Sequence, residues 1–336
     1  MIDVAIIGAT GYTGAELLSI LSGHPDINVK YATSSTQAGR AVSDLFPELK
    51  DDCHINFSEL KDIDLYECEL VFFATPNGTA MNSTVDLLEH NVKVIDLAAD
   101  FRIKDATLWE KWYGIKHACP DLLKEAIYGL PELNRKEIKR ASLVANPGCY
   151  PTAIILGILP LVKNQIINVE NIIADAKSGV SGAGREADIE TENFRAYGVY
   201  KHRHLPEISQ VLESITNTNV DVTFTPHLVP MIRGLLATIY LQLVTEESDV
   251  HSLYDQFYKN EPFVNFQNDY TPETQEVKGT NMCNIGLYSG SSIKGLIVMS
   301  VIDNLVKGAA GQAVQNMNIM LGFNEANGLE DMSKFV

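Results

Sequence analysis

The stretch Val4-Ala-Ile-Ile-Gly8-Ala-Thr-Gly11-Tyr-Thr-Gly14 decides the fold of the N-terminal half. Its first four residues are an apolar run typical of a buried strand, and residues 15–22 after it have helical spacing. Glycines between a strand and a helix let backbone N–H groups and the helix N-terminus approach a pyrophosphate. The spacing departs from the strict G-x-G-x-x-G. The position of the glycines between a strand and a helix, rather than their spacing, therefore predicts a dinucleotide-binding loop. The alternative is an ordinary tight turn.

Strand and helix patterns alternate through the rest of this half. Strands are predicted at residues 28–33, 69–74, 92–96 and 143–145, with a helix at about 80–90. Such alternation predicts a Rossmann-type, doubly wound parallel sheet of the α/β class. Ligands bind beyond the carboxyl ends of strands in such sheets. The residues after the strands, Ala74-Thr75-Pro76 and Cys149 among them, are therefore candidates for the site.

The pattern changes after about residue 165. Longer strands are predicted at residues 169–175, 221–224, 235–244 and 293–301, which indicates a mixed α+β second domain with a largely antiparallel sheet. Residues 304–321 are helical in pattern and are expected to return to the first domain. The predicted division is therefore residues 1–147 with 304–336 for the cofactor and 148–303 for catalysis and oligomerisation.

The end of the second strand indicates which cofactor binds. NAD sites usually carry Asp or Glu there for the ribose 2′-hydroxyl, whereas this sequence has Ser34 and Ser35, with Arg40 shortly beyond. Hydroxyls and an arginine suit a 2′-phosphate, which a carboxylate would repel. NADP(H) is therefore predicted, unless the serines only cap a turn and Arg40 is a surface residue.

Composition restricts the partners. Lys and Arg total 26 against 43 Asp and Glu, a net charge of −17, which disfavours nucleic acid and anionic membranes. No signal-peptide pattern opens the sequence, and no apolar run approaches the roughly 18 residues of a membrane span. Five scattered cysteines without a C-x-x-C pair suggest neither disulfides nor a metal site, and fit a reducing cytoplasm.

Cys149 differs from the other cysteines in its surroundings. It follows Pro147-Gly148 and precedes a helical pattern at residues 152–161, so it lies near a helix start, where partial positive charge favours a thiolate. A nucleophilic cysteine usually needs a base, and the densest candidate segment contains His202 and His204. Position alone does not choose between these two histidines.

A second glycine-rich loop, from Lys177 through Ser178 and Gly179 to Arg185, lies in the second half. Flexible backbone beside an arginine could hold an oxyanion, a phosphate or the nicotinamide; the alternative is a bare loop. Arg102 follows another strand. A protein this acidic needs local cations for an anionic substrate, and the candidates are Arg102, Arg185, Arg195 and Arg203.

Together these residues resemble the N-acetyl-γ-glutamyl-phosphate reductase family of arginine biosynthesis, over essentially the whole chain. The resemblance is carried by the glycine loop at residues 8–14, Leu-Ala-Ala-Asp-Phe-Arg at 97–102, Tyr-Gly-Leu-Pro-Glu at 128–132, Asn-Pro-Gly-Cys-Tyr-Pro-Thr at 146–152, Ser-Gly-Val-Ser-Gly-Ala-Gly-Arg at 178–185, His-Arg-His-Leu-Pro-Glu at 202–207, Pro-His-Leu-Val-Pro-Met at 226–231 and Asp-Asn-Leu-Val-Lys-Gly at 303–308. The Pro-Gly-Cys-Tyr-Pro-Thr element is the most specific of these.

The resemblance implies a catalytic domain like that of glyceraldehyde-3-phosphate dehydrogenase, in a homodimer or homotetramer. It implies NADPH-dependent reduction of N-acetyl-γ-glutamyl phosphate to the 5-semialdehyde and phosphate through a cysteine thioester. Cys149 is then the nucleophile and His204 the acid/base. The predicted cofactor residues are Gly8, Thr10, Gly11, Tyr12, Thr13, Gly14, Ser34, Ser35, Arg40, Ala74, Thr75, Pro76, Ser178, Gly179 and, near the nicotinamide, Asn304; the predicted substrate residues are Arg102, Asn146, Arg185 and Glu207.

Three alternatives remain at this stage. Aspartate-semialdehyde dehydrogenases share the chemistry, but their cysteine usually follows Asn directly, whereas Pro147-Gly148 intervenes here. The corresponding reductase of lysine biosynthesis takes its substrate from an acidic carrier protein, which suits an acidic chain poorly. A dinucleotide-binding sensor without catalysis would have no use for Cys149 and His204.

Overall fold

The structure, a computed structural model, describes residues 1–183, 193–244, 249–289, 295–330 and 334–335. The chain divides into two units, Met1–Gly148 with Ala309–Val336 and Cys149–Gly308. The first junction lies beside the one predicted. The second falls after the predicted residue 304, so Asn304 belongs to the second unit.

The secondary structure within the described residues is as follows. The strands are β1 (Ile2–Ile7), β2 (Ile27–Thr33), β3 (Phe57–Ser58), β4 (Leu70–Phe73), β5 (Lys93–Asp96), β6 (Ile127–Tyr128), β7 (Leu143–Ala145), β8 (Ile172–Ser178), β9 (Arg195–Ala196), β10 (Val222–Leu228), β11 (Leu235–Gln242), β12 (Val264–Asn268), β13 (Cys283–Ser289) and β14 (Gly295–Ile302). The α-helices are α1 (Tyr12–Ser22), α2 (Val42–Leu45), α3 (Thr84–Glu89), α4 (Ala106–Tyr113), α5 (Leu122–Glu125), α6 (Pro131–Ile138), α7 (Cys149–Lys163), α8 (His204–Thr216), α9 (Val250–Tyr258), α10 (Thr274–Val277) and α11 (Gly311–Leu321). Short 3₁₀ segments lie at Pro47–Leu49, Leu60–Asp62, Leu65–Glu67, Ala80–Asn82 and Val180–Ala183, and a π-helical turn at Val306–Ala310.

The first unit is built on a parallel sheet with strand order β3-β2-β1-β4-β5-β7-β6. Residues 4–7 of β1 and all of β4 are buried, as expected for strands covered on both faces. The strand order reverses direction between β1 and β4, which is where such sheets bind ligands. The predicted doubly wound α/β sheet is confirmed.

The helix predicted at about residues 80–90 is two shorter elements, the 3₁₀ segment Ala80–Asn82 and α3. Asp100 fixes the start of the first of these elements. Its carboxylate accepts the backbone N–H groups of Gly78 (2.6 Å) and Met81 (3.0 Å), which holds the turn after β4 in place. The two elements meet at Ser83, whose φ of −116° departs from helical geometry.

The second unit contains a mixed sheet with strand order β12-β13-β14-β11-β8-β10-β9. The pairs β13–β14, β14–β11, β11–β8 and β10–β9 are antiparallel, whereas β8–β10 and β12–β13 are parallel. Strand β8 runs on to Ser178 because it stays paired with both neighbours up to that residue. The predicted strand at 169–175 was therefore placed too early in the chain.

Helix α7 packs on β11 and β14 and is the buried core helix of this unit. Pro160 interrupts its hydrogen bonding, because proline has no N–H to donate to the carbonyl of Leu156. The hydroxyl of Tyr258 in α9 donates to that carbonyl instead, and Tyr254 donates to the carbonyl of Gly157 (2.6 Å). Two buried tyrosines thus satisfy the interior of α7 and attach α9 to it.

The C-terminal helix α11 packs on α1 and α6 within the first unit. Its Gln312 and Asn316 side chains both donate to the carbonyl of Gly129, at 2.7 and 2.8 Å. No helix among the described residues combines the length and apolar character that crossing a membrane would require.

Candidate active site

The glycine loop joins β1 to α1 in a conformation that other residues could not adopt. Gly8 has φ +86°, and a Cβ there would lie 2.6 Å from the carbonyl oxygen of Ala74. A Cβ on Gly14, in the first turn of α1 with Tyr12 and Thr13, would lie 2.3 Å from the Gly8 oxygen. Gly11 is the N-cap and has no side chain to cover the helix N-terminus. An anion can therefore approach the N–H groups of this turn.

A cleft of ≈ 530 Å³ opens at the carboxyl ends of β1, β2 and β4. Its lining residues are Ile7, Gly8, Thr10, Gly11, Thr33, Ser34, Ser35, Glu59, Leu60, Lys61, Ala74, Thr75 and Pro76. The Oγ1 atom of Thr75 is buried and has no hydrogen-bond partner within the described part of the chain. A buried hydroxyl of this kind normally has a partner, so this wall suits a polar ligand. The cleft fits a dinucleotide.

The residues at the end of β2 and just after it carry hydroxyl groups, and none of them is a carboxylate. Ser34 Oγ accepts the N–H groups of Thr36 (3.3 Å) and Gln37 (3.2 Å) and lies 3.3 Å from Thr10 Oγ1. Arg40 does not line the cleft, since its guanidinium donates to the Gln37 side chain (3.1 Å) and the Asp44 carbonyl (2.6 Å).

The cation that lines this cleft is Lys61, which pairs with Glu59 at 2.7 Å. Lys61 lies in the 3₁₀ segment Leu60–Asp62, far along the chain from Ser34 and Ser35, which follow β2. The structure thus offers Lys61, besides the predicted Arg40, as a cation for the 2′-phosphate.

Cys149 is the first residue of α7 and is half-buried, whereas the other four cysteines are buried. The position at a helix N-terminus favours the thiolate form. Burial raises the pKa of Cys68 and of Cys119 to about 12, which leaves those thiols protonated and unreactive. The predicted nucleophile is therefore the accessible thiol among the five.

Both candidate histidines lie beside Cys149's helix. His204 is the first residue of α8, which packs against α7. Its ring lies 4.7 Å from that of His202 and 5.9 Å from that of Tyr150, the residue after Cys149. Burial and, secondarily, Arg203 lower the pKa of His202 to about 4. His202 is therefore neutral at physiological pH, a poor proton donor, and His204 remains the better candidate for the acid.

The second glycine loop meets the Asp303-Asn304 segment. Asn304 donates to Ser181 Oγ (2.8 Å) and accepts the N–H of Gly234 (2.7 Å). Ser178 is buried and donates to the carbonyl of Gly179 (3.2 Å), where a Cβ would lie 2.5 Å from the Ile232 oxygen. Arg185, which is predicted to bind substrate, lies outside the described residues.

Two predicted substrate residues hold the first unit together. Arg102 is buried and donates to the carbonyls of Asn146 (2.7 Å) and Leu97 (3.1 Å), which follow β7 and β5. Asn146 is fully buried; its amide donates to the carbonyl of Ala309 (3.0 Å) and its oxygen accepts from Asn316 (3.0 Å). These contacts give Asn146 a structural role within the unit, and its predicted part in substrate binding stays a prediction. Glu207 is buried in the first turn of α8, one turn after His204.

Known proteins resemble this chain in sequence and in its division into two units. Family models match residues 3–141 (semialdehyde dehydrogenase, NAD binding domain) and 149–304 (semialdehyde dehydrogenase, dimerisation domain). The N-acetyl-gamma-glutamyl-phosphate reductase of Nitrosospira multiformis is 52% identical over 342 residues, covering 100% of both chains. That of Nitrosococcus oceani is 53% identical over 337 residues, covering 98% of each. The chain belongs to the semialdehyde dehydrogenase family, among the N-acetyl-gamma-glutamyl-phosphate reductases.

Solved structures of semialdehyde dehydrogenases share the fold at lower identity. Aspartate semialdehyde dehydrogenase II of Vibrio cholerae, complexed with ASA, matches with a TM-score of 0.74 at 18% identity, over 96% of this chain and 98% of that one. The Candida albicans aspartate semialdehyde dehydrogenase with NADP matches with a TM-score of 0.71 at 17% identity, again over 96% and 98%. These likenesses cover the parallel α/β sheet of the first unit and the mixed sheet of the second.

Sequence reasoning missed several residues of this family member's site. Lys61 lies in a short polar segment without a motif, and only the folded chain brings it to the cleft. Gly308 approaches Cys149 so closely that a Cβ there would lie 2.6 Å from the Cβ of Cys149. This close approach has no signal in the sequence, because it depends on the folded backbone. Tyr197 bonds to the residue beside Cys149, but no spacing signals that contact.

Proposed function

We propose that the protein is an N-acetyl-γ-glutamyl-phosphate reductase of arginine biosynthesis, reducing its acyl phosphate to N-acetylglutamate 5-semialdehyde with NADPH. The observation that carries the proposal is the 52–53% identity with reductases of this name over essentially their full length. The half-buried Cys149 at the start of α7 supports the covalent chemistry. The aspartate enzymes share only the fold at 17–18% identity.

Cys149 divides the reduction into two easier steps. Its thiolate attacks the acyl carbon, the C–S bond forms, and the bond to the phosphate oxygen breaks, so phosphate leaves and a thioester remains. The N-terminus of α7 stabilises the thiolate before attack. The leaving phosphate takes up the one proton that the overall reaction consumes and departs as inorganic phosphate.

Bound NADPH supplies the hydride that reduces this thioester. His204 gives a proton to the former carbonyl oxygen as charge develops there and takes it back as the thiohemiacetal collapses. The C–S bond then breaks with its electron pair on sulfur, which regenerates the Cys149 thiolate and releases the aldehyde. Overall, one NADPH and one proton are consumed, and NADP and inorganic phosphate are released. General acid–base assistance of this kind is worth about 10²–10⁴-fold in rate.

The residues that would hold NADPH are those of the first-unit cleft. The N-terminus of α1 with Gly8, Thr10, Gly11, Tyr12, Thr13 and Gly14 receives the pyrophosphate. Ser34, Ser35 and a nearby cation, Lys61 or Arg40, receive the 2′-phosphate, and Ala74, Thr75 and Pro76 form the opposite wall. Ser178, Gly179 and Asn304 stay predictions for the nicotinamide end, and Arg102, Arg185 and Glu207 for the substrate.

The protein is further proposed to form a homodimer or homotetramer through the second sheet. Helices cover one face of this sheet, whereas Ile173 in β8 and Tyr240 in β11, paired in register on the other face, are 38% and 41% exposed. Their neighbours in the same row, Thr223 and Ile297, carry no charge. Tyr240→Glu should lower the mass by light scattering, and an unchanged mass would contradict this face as the interface.

We also place the enzyme in the cytoplasm, because its five scattered cysteines include no C-x-x-C pair and fit a reducing compartment. A reducing compartment would keep Cys149 in the form that the reaction requires.

The test is the reverse reaction, followed by NADPH formation. N-acetylglutamate 5-semialdehyde and aspartate semialdehyde are compared with NADP, with and without inorganic phosphate. The expected result is strong preference for the acetylated aldehyde, absolute dependence on phosphate, no activity in Cys149→Ser, and near-normal activity in the matched control Cys53→Ala. Preference for aspartate semialdehyde would overturn the substrate, and no NADPH from either aldehyde would overturn the reaction.

A further inference from the structure

The surroundings of His202 form a connected set of polar groups. Its Nδ1 atom accepts the backbone N–H of His204 at 3.1 Å, and its Nε2 atom lies 3.4 Å from the Tyr197 hydroxyl. The Tyr197 hydroxyl donates to that of Tyr150 (3.2 Å), which donates to the carbonyl of His227 (3.2 Å). Since Tyr150 follows Cys149, these bonds connect the residue beside the nucleophile to the backbone of the acid/base.

The donors and acceptors of this set specify a single protonation state. Because Nδ1 accepts a backbone N–H, the imidazole proton must be on Nε2, which then donates to the Tyr197 oxygen. Burial raises the pKa of Tyr197 to about 12 and raises that of Tyr150 further, so both hydroxyls remain protonated donors. A protonated His202 would instead direct a second N–H at the N–H of His204.

His202 is also enclosed on its sides. Its ring meets those of Tyr150 (5.4 Å), Tyr197 (5.4 Å) and Phe224 (5.5 Å) edge to face, and that of His204 at 4.7 Å. The charged and titratable groups facing it are Arg203, Tyr150, Tyr197 and His204. This enclosure holds the ring in one orientation.

We propose that His202 is a positioning residue that holds His204 at a fixed place relative to Cys149. As the neutral Nε2–H tautomer it accepts the first N–H of α8, and through Tyr197 it is linked to Tyr150, the residue after Cys149. The first N–H groups of a helix have no partner within the helix, so an acceptor at this point fixes where α8 begins. His204 is that first residue. This inference rests on the proposed reductase reaction, in which His204 acts on the reacting oxygen.

Two substitutions of His202 each preserve one of its two hydrogen bonds. In His202→Asn, the amide oxygen takes the place of Nδ1 and keeps the acceptor for the His204 N–H. In His202→Gln, the amide nitrogen takes the place of Nε2 and keeps only the bond to Tyr197. His202→Leu keeps neither. We expect kcat to fall about 10-fold or more in the Gln and Leu variants, within the range of acid–base assistance. The kcat of the Asn variant should be closer to that of the wild type. The KM should change little in all three variants.

The readout that separates positioning from folding is the pH profile of kcat. Its apparent pKa for the acid/base should shift in the Gln and Leu variants and return in Asn. Tyr197→Phe should lower kcat in the wild type and add nothing in His202→Leu. Loss of kcat that follows the loss of Tm, with one unchanged pH profile in every variant, would overturn the proposal.

A measurement without substrate distinguishes failure of this inference from failure of the reductase proposal. Proton–nitrogen correlation spectra of the histidine-labelled protein, with His202 assigned by its absence in His202→Asn, report its tautomer directly. A neutral ring protonated on Nε2 between pH 5 and 8 is expected. A proton on Nδ1, or titration near pH 6.5, would overturn the inference, whatever the enzyme reduces. A wild type that reduces none of the proposed substrates would instead refute the reductase assignment on which the positioning role depends.

Discussion

Replacing Gly308 by alanine should displace the nucleophile. Gly308 lies in the π-helical turn Val306–Ala310, and a Cβ there would lie 2.6 Å from the Cβ and 3.2 Å from the Cα of Cys149. Carbon atoms in van der Waals contact are about 3.5–4.0 Å apart. Relief of this overlap therefore requires a relative movement of about 1 Å, and neither atom is the flexible end of a long side chain.

We expect Gly308→Ala to lower kcat more than it lowers the free energy of unfolding. A displacement of about 1 Å at a reacting atom can lower the rate about 10²-fold. Overpacking costs about 1–3 kcal/mol, of which alanine's better helix propensity recovers about 1 kcal/mol. Gly308→Ala should therefore lose about 100-fold in kcat while the free energy of unfolding falls by no more than about 2 kcal/mol.

The assay is the initial rate of NADPH formation at saturating aldehyde, together with urea unfolding of the same sample. Gly23→Ala is the matched control, because its nearest neighbour, the carbonyl oxygen of Ile20, would be 3.8 Å from the new Cβ. Alkylation of Cys149 by iodoacetamide reports the thiol itself and should also slow. Wild-type kcat in a folded Gly308→Ala protein would refute the reasoning, since it would mean that Cys149 need not be held where the structure places it.

Three further outcomes are expected. Gly8→Ala should raise KM for NADPH, because its Cβ would lie 2.6 Å from the Ala74 oxygen at φ +86°; unchanged KM in steady-state kinetics would contradict the loop's role. Asp303→Asn should lower the free energy of unfolding in urea by about 3–5 kcal/mol, since it leaves buried Arg233, now 3.0 Å from that carboxylate, without its counter-charge. The pKa of about 4 for His202, against 6.5 when unfolded, means that the unfolded chain binds more protons between these values, so stability should fall as pH falls from 6.5 to 4, by up to about 3 kcal/mol. In His202→Asn the urea-derived fall over this range should be smaller, and an identical fall would refute this origin.

The local sequence pattern was sufficient to predict the elements that form between residues close together in the chain. The apolar run before Gly8, the three glycines and the leucines of α1 form one βα unit, so sequence predicted both the parallel sheet and the cleft. Pro151 and the turn before Cys149 likewise indicated a helix start, and α7 begins at Cys149 itself. Asp100 shows the limit, because its carboxylate fixes the turn after β4 through Gly78 and Met81, a long-range contact that no local pattern reveals.

Burial of polar side chains is the feature of the site that sequence reasoning could not see. Arg102 and Asn146 follow strands of the sheet, where ligands usually bind, and sequence reasoning therefore assigned them to substrate. In the folded chain both are buried and bond to backbone carbonyls of their own unit. Such bonds depend on which strand ends become neighbours, and residue type does not reveal this. His202 was left undecided for the same reason, whereas Lys61 is exposed and was overlooked because only the folded chain brings it to the cleft.

The distribution of charged groups in the protein determines how it binds its anionic ligands. The chain carries a net charge of −17, yet the reaction needs NADPH and an acyl phosphate. The guanidinium groups of Arg40, Arg102 and Arg233 all bond to carbonyls or carboxylates of the protein itself. Backbone N–H groups at helix N-termini are a source of positive potential that net charge does not cancel, and α1 and α7 present such termini at the glycine loop and at Cys149. These short-range dipoles act within the first helical turn, whereas attraction from surface charge is screened over about 10 Å at 0.1 M salt. KM for NADPH should consequently vary little with ionic strength, and a steep rise with salt would show that side-chain cations such as Lys61 dominate binding instead.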